Sequence, residues 1–511
     1  MAKKLRLILG DQLNSRHHWF QKKERDVIYV LMEVMQEQQY VMHHVQKILA
    51  FFATMRNFAH QLKKLGHEVV YLSLDDADNQ QSFDENLNNL IEKYHIGRFE
   101  YQLPDEYRLD EQLKTFCHKL EIDYGIADTE HFLTTRYEVR DFFGDKKSYL
   151  MESFYRSMRT RLGILMQGKD PVGDKWNFDH DNRKKYDGKV PLKKPVIYNH
   201  DVSALKTMID KMGVKYFGNV DAEHFGWPLS RKEALQSLNY FCENLLPHFG
   251  TYEDAMLNEH ISLFHSRLSF AQNIKMISPQ EIVAAVLGEW DKRKDEISLA
   301  QVEGYIRQII GWREFMRGVY WAKMPEFATL NFFRHKNKLP KWFWDGNTKM
   351  NCLNKCIGQS LDYAWAHHIQ RLMVIGNFAL LSGCHPDDVD EWYLGVYIDA
   401  LQWVEITNTR GMSQFADGGI IASKPYVASA AYINKMSDYC KTCHYDYKKK
   451  HGDRACPFNS LYWNFFDRNA DKLEHNPRIG MMYKTLQKFD KAELQKILEQ
   501  AEVYLGMVDE L

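Results

Sequence analysis

A chain of 511 residues is longer than one hydrophobic core usually organises, so two or three domains are expected. Hydrophobic residues at 45% fit a globular protein, and no apolar run reaches the length of a membrane span, which argues against a helical membrane protein. Lys and Arg (67) balance Asp and Glu (68) for a net charge of −1, so any nucleic-acid partner needs a local basic patch rather than an attractive overall field.

Met1-Ala2-Lys3-Lys4 leads straight into a strand-like run, without the pattern of a signal peptide. A cytoplasmic protein with reduced thiols is expected, and the eight cysteines are then packing residues or metal ligands. Leu5 to Leu9, Val27 to Met32 and Glu68 to Leu72 read as strands. Between the second and third, Ile48, Phe51, Phe52, Met55, Phe58, Ala59 and Leu62 recur at helical spacing. That order implies an α/β domain with a parallel sheet, a Rossmann-like arrangement whose ligands bind beyond the carboxyl ends of the strands. Gly10-Asp11-Gln12 lies at one such end, and no G-x-G-x-x-G supports a dinucleotide in this domain.

Residues from about 130 to 230 change character. Tyr155 to Arg161 reads as a basic helix, and Gly168 to Asn177 as a loop. Lys175 to Lys194 carries seven basic residues against three acidic ones and contains Pro191, with Pro195 just beyond. Such a segment is either a solvated linker or a grip for phosphates. From about 231 onward the chain reads as helical, with apolar residues at i, i+3, i+4 through Ile282–Trp290, Val302–Tyr320 and Leu361–Leu381. The expected division is an α/β domain over 1–135, a linker with a basic loop over 136–230, and a large all-α domain over 231–511.

The segment from Asn351 to Pro457 concentrates the chemistry. Cys440 and Cys443 form a C-x2-C pair, and Cys456 follows with Pro457 behind it. With an upstream cysteine, either Cys352 or Cys356, four thiolates are available for zinc or an iron–sulfur cluster. His367 and His368 are adjacent, so on a helix they point about 100° apart and cannot share one task. Arg371 and Asp399 are charges in apolar runs and need each other or a ligand if buried.

These residues resemble a known family. Gly311-Trp312-Arg313-Glu314-Phe315 is similar to the W-R-E-F motif of photolyases and cryptochromes. His265-Ser266-Arg267-Leu268-Ser269 resembles the T-S-x-L-S segment that holds the FAD diphosphate, with His265 in place of the usual Thr. His367 to Leu372 is similar to the active-site run of (6-4) photolyases. Leu9 to Leu13, Glu33 to His44, Trp176 to Asp179, Gly411 to Gly419 and the cysteine set look like the bacterial branch that carries an iron–sulfur cluster. The resemblance spans nearly the whole chain.

The resemblance implies three cofactors and a light-driven repair enzyme. FAD would be held by His265, Ser266, Leu268, Ser269, Gln308, Arg313, Arg371, Asp399 and Glu405, the last standing where many photolyases have Asn. A [4Fe-4S] cluster would be held by Cys352, Cys440, Cys443 and Cys456. A 6,7-dimethyl-8-ribityllumazine antenna would sit near Asp11, Glu37 and Phe51, and Mg2+ is a further candidate. Light would drive an electron from reduced FAD to a flipped-out (6-4) lesion in UV-damaged DNA, double- or single-stranded. His368 would donate a proton, with Tyr426 and Tyr432 lining the lesion pocket. Leu372 replaces a second histidine of the animal enzymes, so one histidine must suffice. Trp344, Trp392 and Tyr393 would relay electrons to the flavin, and Arg183 and Lys184 would meet the DNA backbone. A monomer without membrane attachment is expected. The alternative is a cryptochrome-type blue-light receptor with the same cofactors.

Overall fold

The computed structural model describes residues 3–511. Five parallel strands form one sheet: β1 Lys3–Leu7, β2 Val27–Met32, β3 Glu68–Leu72, β4 Ile96–Gln102 and β5 Asp123–Ala127. Their spatial order is β3-β2-β1-β4-β5. β2 is buried along its whole length, as expected for an inner strand covered on both faces. Alternate residues serve different cores. Leu5, Leu7, Ile28 and Val30 pack with Phe83, Leu87 and Phe116 of the helices Phe83–Tyr94 and Tyr107–Lys119. Tyr29 and Leu31 face helix α1, Val45–Lys64, through Ile48, Phe52, Met55 and Leu62. The chain reverses direction across the sheet between β1 and β4, and this switch point places a cavity.

Beyond Ala127 helices are the main regular structure, with irregular stretches such as 175–202 between them. The basic segment is not a free linker. Asn182 Nδ2 donates to the Ala300 carbonyl (3.1 Å), and the main-chain N–H groups of Arg183 and Lys184 donate to Gly250 and Thr251. No helix among the described residues is long and apolar enough to cross a membrane.

One expected helix is corrected. The run Leu361–Leu381 is not continuous: helix α2, Asn351–Tyr363, stops at Ala364 in the left-handed region (φ +51°), and residues 365–367 are not helical before helix resumes. The apolar spacing persists because both pieces face one core, but the chain turns between them. Four helical stretches among the described residues wind with wider i→i+5 hydrogen bonding: Phe241–Leu245, Arg307–Arg313, Gln370–Gly376 and Thr407–Ser413. Such turns recur at functional sites.

Candidate functional site

A cavity opens at the switch point. Leu9, Gly10 and Asp11 follow β1, Pro104, Asp105 and Glu106 follow β4, and α1 adds Lys47, Phe51 and Met55. Leu401, Gln402 and Trp403 close it from the helical side. Asp11, Glu37 and Phe51, far apart in sequence, all line it. Arg108 holds Glu37 through two bonds (2.9 and 2.8 Å), pairs with Glu106 (2.8 Å) and lies 4.4 Å over the Tyr40 ring. Burial, then the nearby Glu37 charge, pushes the Glu106 carboxyl up to about 7 against Arg108. Burial would raise Asp105 too, but Lys275 and Arg317 outweigh it and hold it down to about 2. Lys275 is fully buried and binds both Asp11 (2.7 Å) and Asp105 (2.9 Å). The Trp403 indole N–H, also buried, has no partner. Asp105, Glu106, Lys275 and Trp403 were absent from the sequence reading, and β4, whose end supplies two of them, carries Arg98 and Glu100 within an otherwise apolar run.

A second group lies in the helices. Arg371 pairs with both oxygens of Asp399 (2.9 and 3.1 Å), and the Ser269 hydroxyl donates to the same carboxylate (2.6 Å). The guanidinium stacks on Tyr397 at 3.7 Å, and the Tyr393 hydroxyl donates to the Arg371 carbonyl. Leu268 is buried beside this set. Ser266 bonds the Tyr305 hydroxyl (3.1 Å), and His265 stacks on His367 at 4.5 Å. His367 is buried with neither ring nitrogen partnered. Glu405 is 6% exposed, and one of its oxygens is also unpartnered. Burial, then the Asp390 charge, pushes its carboxyl well above the ordinary range, which favours the protonated acid. Arg313 lies apart from the ion pair, against His131, Phe132 and Trp403, and reaches Asp399 only through Asn273. The Gln308 side chain donates to Gly304 of its own helix.

One turn before Arg371, the His368 ring is exposed. Protein around it, then the cations Arg371 and Arg183, hold its basicity below the ordinary histidine range. Tyr426 and Tyr432 are half-buried at the same mouth, where the Arg183 charge bears on the phenols of both and the Asp254 carboxylate on Tyr432. Arg183 itself pairs with Asp179 (3.3 Å) at the surface, where such pairs are weak, and with the buried Glu253 (3.1 Å). Lys184 is exposed beside it. Trp392 and Tyr393 are buried neighbours at 5.3 Å, whereas Trp344 is 43% exposed and packs its ring on Phe217.

Cys352, Cys440, Cys443 and Cys456 line one further cavity with Tyr439, Tyr445 and Phe458. Cys356 does not line it; its thiol meets the Tyr439 hydroxyl instead. Cys352 sits in the first turn of α2 and Cys456 caps the helix Pro457–Arg468, so two helix N-termini favour anionic sulfur there. Among the described residues, no three of these sulfurs lie mutually within 4.8 Å. Four thiolates around one tetrahedral zinc stand about 3.8 Å apart, closer than any three of these sulfurs stand among the described residues. The group that does come so close, His17, His18 and Glu130, has both His17 nitrogens committed to Trp19 N–H and the Asp128 carbonyl.

Comparison with known proteins follows this geometry. A family profile for deoxyribodipyrimidine photo-lyase-related proteins matches residues 6–225. A bacterial class III photolyase from Agrobacterium tumefaciens shares the fold over 97% of this chain and 92% of its own, with a TM-score of 0.56 at 14% identity. An uncharacterized protein of Acanthamoeba polyphaga mimivirus is 36% identical over 107 residues, 21% of this chain and 80% of its own. A (6-4) photolyase of Agrobacterium fabrum is 41% identical over 507 residues, 98% of this chain and 99% of its own. With that identity running end to end through both chains, this protein belongs to the photolyase family.

Proposed function

We propose that the protein is a light-driven (6-4) photolyase acting on UV-damaged DNA. The observation that carries this reading is the exposed His368 ring, which shares a mouth with Tyr426, Tyr432 and Arg183 and lies one turn from the buried Arg371–Asp399 pair. The 41% identical (6-4) photolyase supports it. The helical group suits FAD: the unpartnered nitrogens of His367 and the free oxygen of Glu405 are buried polar atoms that call for a polar ligand. Bound there, a reduced flavin supplies an electron to the lesion on illumination.

The residues of this chain do the rest. Arg371 and Asp399 neutralise each other, so the bound group meets a polar but uncharged wall. Glu405, held as a neutral acid, presents a hydroxyl donor and a carbonyl acceptor, which is what an amide would present in its place. His368 offers a ring N–H to the lesion, and an arriving phosphate offsets Arg183 and raises its basicity. Tyr426 and Tyr432 supply apolar faces with a hydroxyl handle. Arg183 exchanges its weak surface partner Asp179 for the backbone. Trp392 and Tyr393, buried neighbours, and Trp344, at the surface, serve as the electron relay in this reading.

The wide four-cysteine cavity suits a [4Fe-4S] cluster better than zinc. The switch-point cavity, acidic and aromatic, suits an uncharged ribityllumazine antenna better than a phosphate-bearing ligand. In this reading residues 1–135 carry the antenna, 136–230 carry the DNA-facing loop, and 231–511 carry the flavin and the cluster. The test is a repair assay under blue light with an oligonucleotide carrying one defined (6-4) lesion. His368→Ala should abolish repair and leave flavin absorbance intact; an untouched lesion with the unmodified protein would end the proposal.

A further inference from the structure

Two adjacent histidines meet opposite fates: His367 is buried and His368 exposed. The chain must turn between α2 and the next helix to achieve this, and Gln370 is central to the side chains that hold the turn, beside Arg371, whose Nε donates to the Ala366 carbonyl (2.7 Å). Gln370 is 1% exposed, and its Oε1 accepts the main-chain N–H of His367 (3.1 Å). The same oxygen accepts from Gln359 Nε2 (3.2 Å), while Gln370 Nε2 donates to Gln359 Oε1 (3.0 Å) and to the Tyr439 hydroxyl (3.1 Å). Gln359 in turn donates to the carbonyls of Trp365 (3.2 Å) and Ile261 (3.1 Å). This fixes the amide orientation, because a flipped Gln370 would set its NH2 against the His367 N–H.

The network continues to the cysteines. Tyr439 is buried, its hydroxyl meets Cys356 Sγ (3.7 Å), and its ring lines the four-cysteine cavity one residue before Cys440. Its carbonyl accepts from Asn351, at the start of the helix that carries Cys352. A continuous chain of buried polar contacts therefore runs from that cavity to the His367–His368 turn. Networks of this kind are costly when partly satisfied, so their members hold one arrangement.

We propose that Gln370 is the positioning residue of His368, and that Tyr439 ties that position to the four-cysteine cavity. The cavity then supports repair by holding a hydrogen-bonded turn in place, whether or not it carries charge. The proposal rests on the reading of His368 as the lesion-facing group, but its structural half can be tested separately.

The experiment compares Tyr439→Phe with the unmodified full chain carrying its cofactors. Flavin and iron per chain, affinity for a duplex with one (6-4) lesion, repair per absorbed photon, and amide hydrogen exchange of residues 365–368 are measured. Tyr439→Phe removes one oxygen atom. It should keep flavin, iron and lesion affinity within about twofold, lower the repair yield roughly tenfold by misplacing His368, and speed exchange at 365–368. Gln370→Met should show the same pattern more strongly; if it fails to retain flavin, Tyr439→Phe alone decides. Wild-type yield with unchanged exchange in Tyr439→Phe overturns the proposal. Loss of iron also overturns it, because Tyr439 would then act on the cavity and not through Gln370. Faster exchange with unchanged yield leaves the turn as described but removes its link to repair, and overturns the role given to His368.

Discussion

Burial, then the neighbouring Asp390, pushes the Glu405 carboxyl well above the ordinary carboxyl range. Its pKa is raised on folding, so its contribution to stability is complete below the ordinary carboxyl range and is lost as pH rises through the elevated value. Glu405→Gln removes that titration. In urea unfolding, the stability of the unmodified protein relative to Glu405→Gln should fall with rising pH, by up to about 1.4 kcal/mol per pH unit. Parallel pH profiles for the two would show that Glu405 is charged in the folded state. The cysteines make a second contrast at this scale. Cys352 and Cys356 are one turn apart on α2, but only Cys352 faces the other three sulfurs. Cys443→Ser should lose iron by chemical assay, whereas Cys356→Ser should retain it; the reverse would move the ligand assignment by one turn.

The helices that carry the site are packed unusually closely where they widen. Gly376 ends the Gln370–Gly376 stretch, and a Cβ there would stand 2.0 Å from Ser413 Oγ and 2.9 Å from the Arg371 carbonyl. The first neighbour is a small side chain and the second is backbone, so neither yields cheaply. Gly376→Ala should cost about 1–3 kcal/mol by overpacking. Because the strain bears on Arg371, flavin retention should fall with it, as read by absorbance after gel filtration. A variant with unchanged melting temperature and full flavin would show that the two stretches have room to separate. The broken helix at Ala364–His367 belongs to this scale too. Apolar spacing predicts helix straight through it, because periodicity reports which face is buried and not whether the axis is continuous. The contacts that hold the break, Gln370 on the His367 N–H and Ile398 on the Ala364 carbonyl, come from further along the chain, and no local pattern announces them.

Sheet and helices are joined by buried charge. Lys275, from the helical part, reaches Asp11 after β1 and Asp105 after β4, and Arg317 also binds Asp105 (3.1 Å). Lys275→Met would leave Asp11 without a cation. The cost should be about 3 kcal/mol, toward the lower end for a broken buried pair because Arg317 still serves Asp105. Thermal unfolding checks it, and an unchanged transition would mean that solvent reaches the pair. The same residue frames the switch-point cavity, so loss of any bound chromophore should accompany the loss of stability.

Much of this was legible along the chain. The strands Val27–Met32 and Glu68–Leu72 and helix α1 follow from runs of apolar residues with a clear period, because burial of one face is a local demand on sequence. The motifs around Ser266, Arg371 and Cys440 named the family because chemistry at each site needs a few residue types at short spacing. Strand β5 escaped notice since it is a mostly exposed edge, and Asp105, Glu106 and Trp403 since their meeting depends on strand order. Which of Cys352 and Cys356 faces the thiols, and which of His367 and His368 faces outward, are likewise matters of packing. Local composition sets what each segment can bury or bind; only the folded arrangement brings residues hundreds of positions apart within the few ångströms over which hydrogen bonds and charges act.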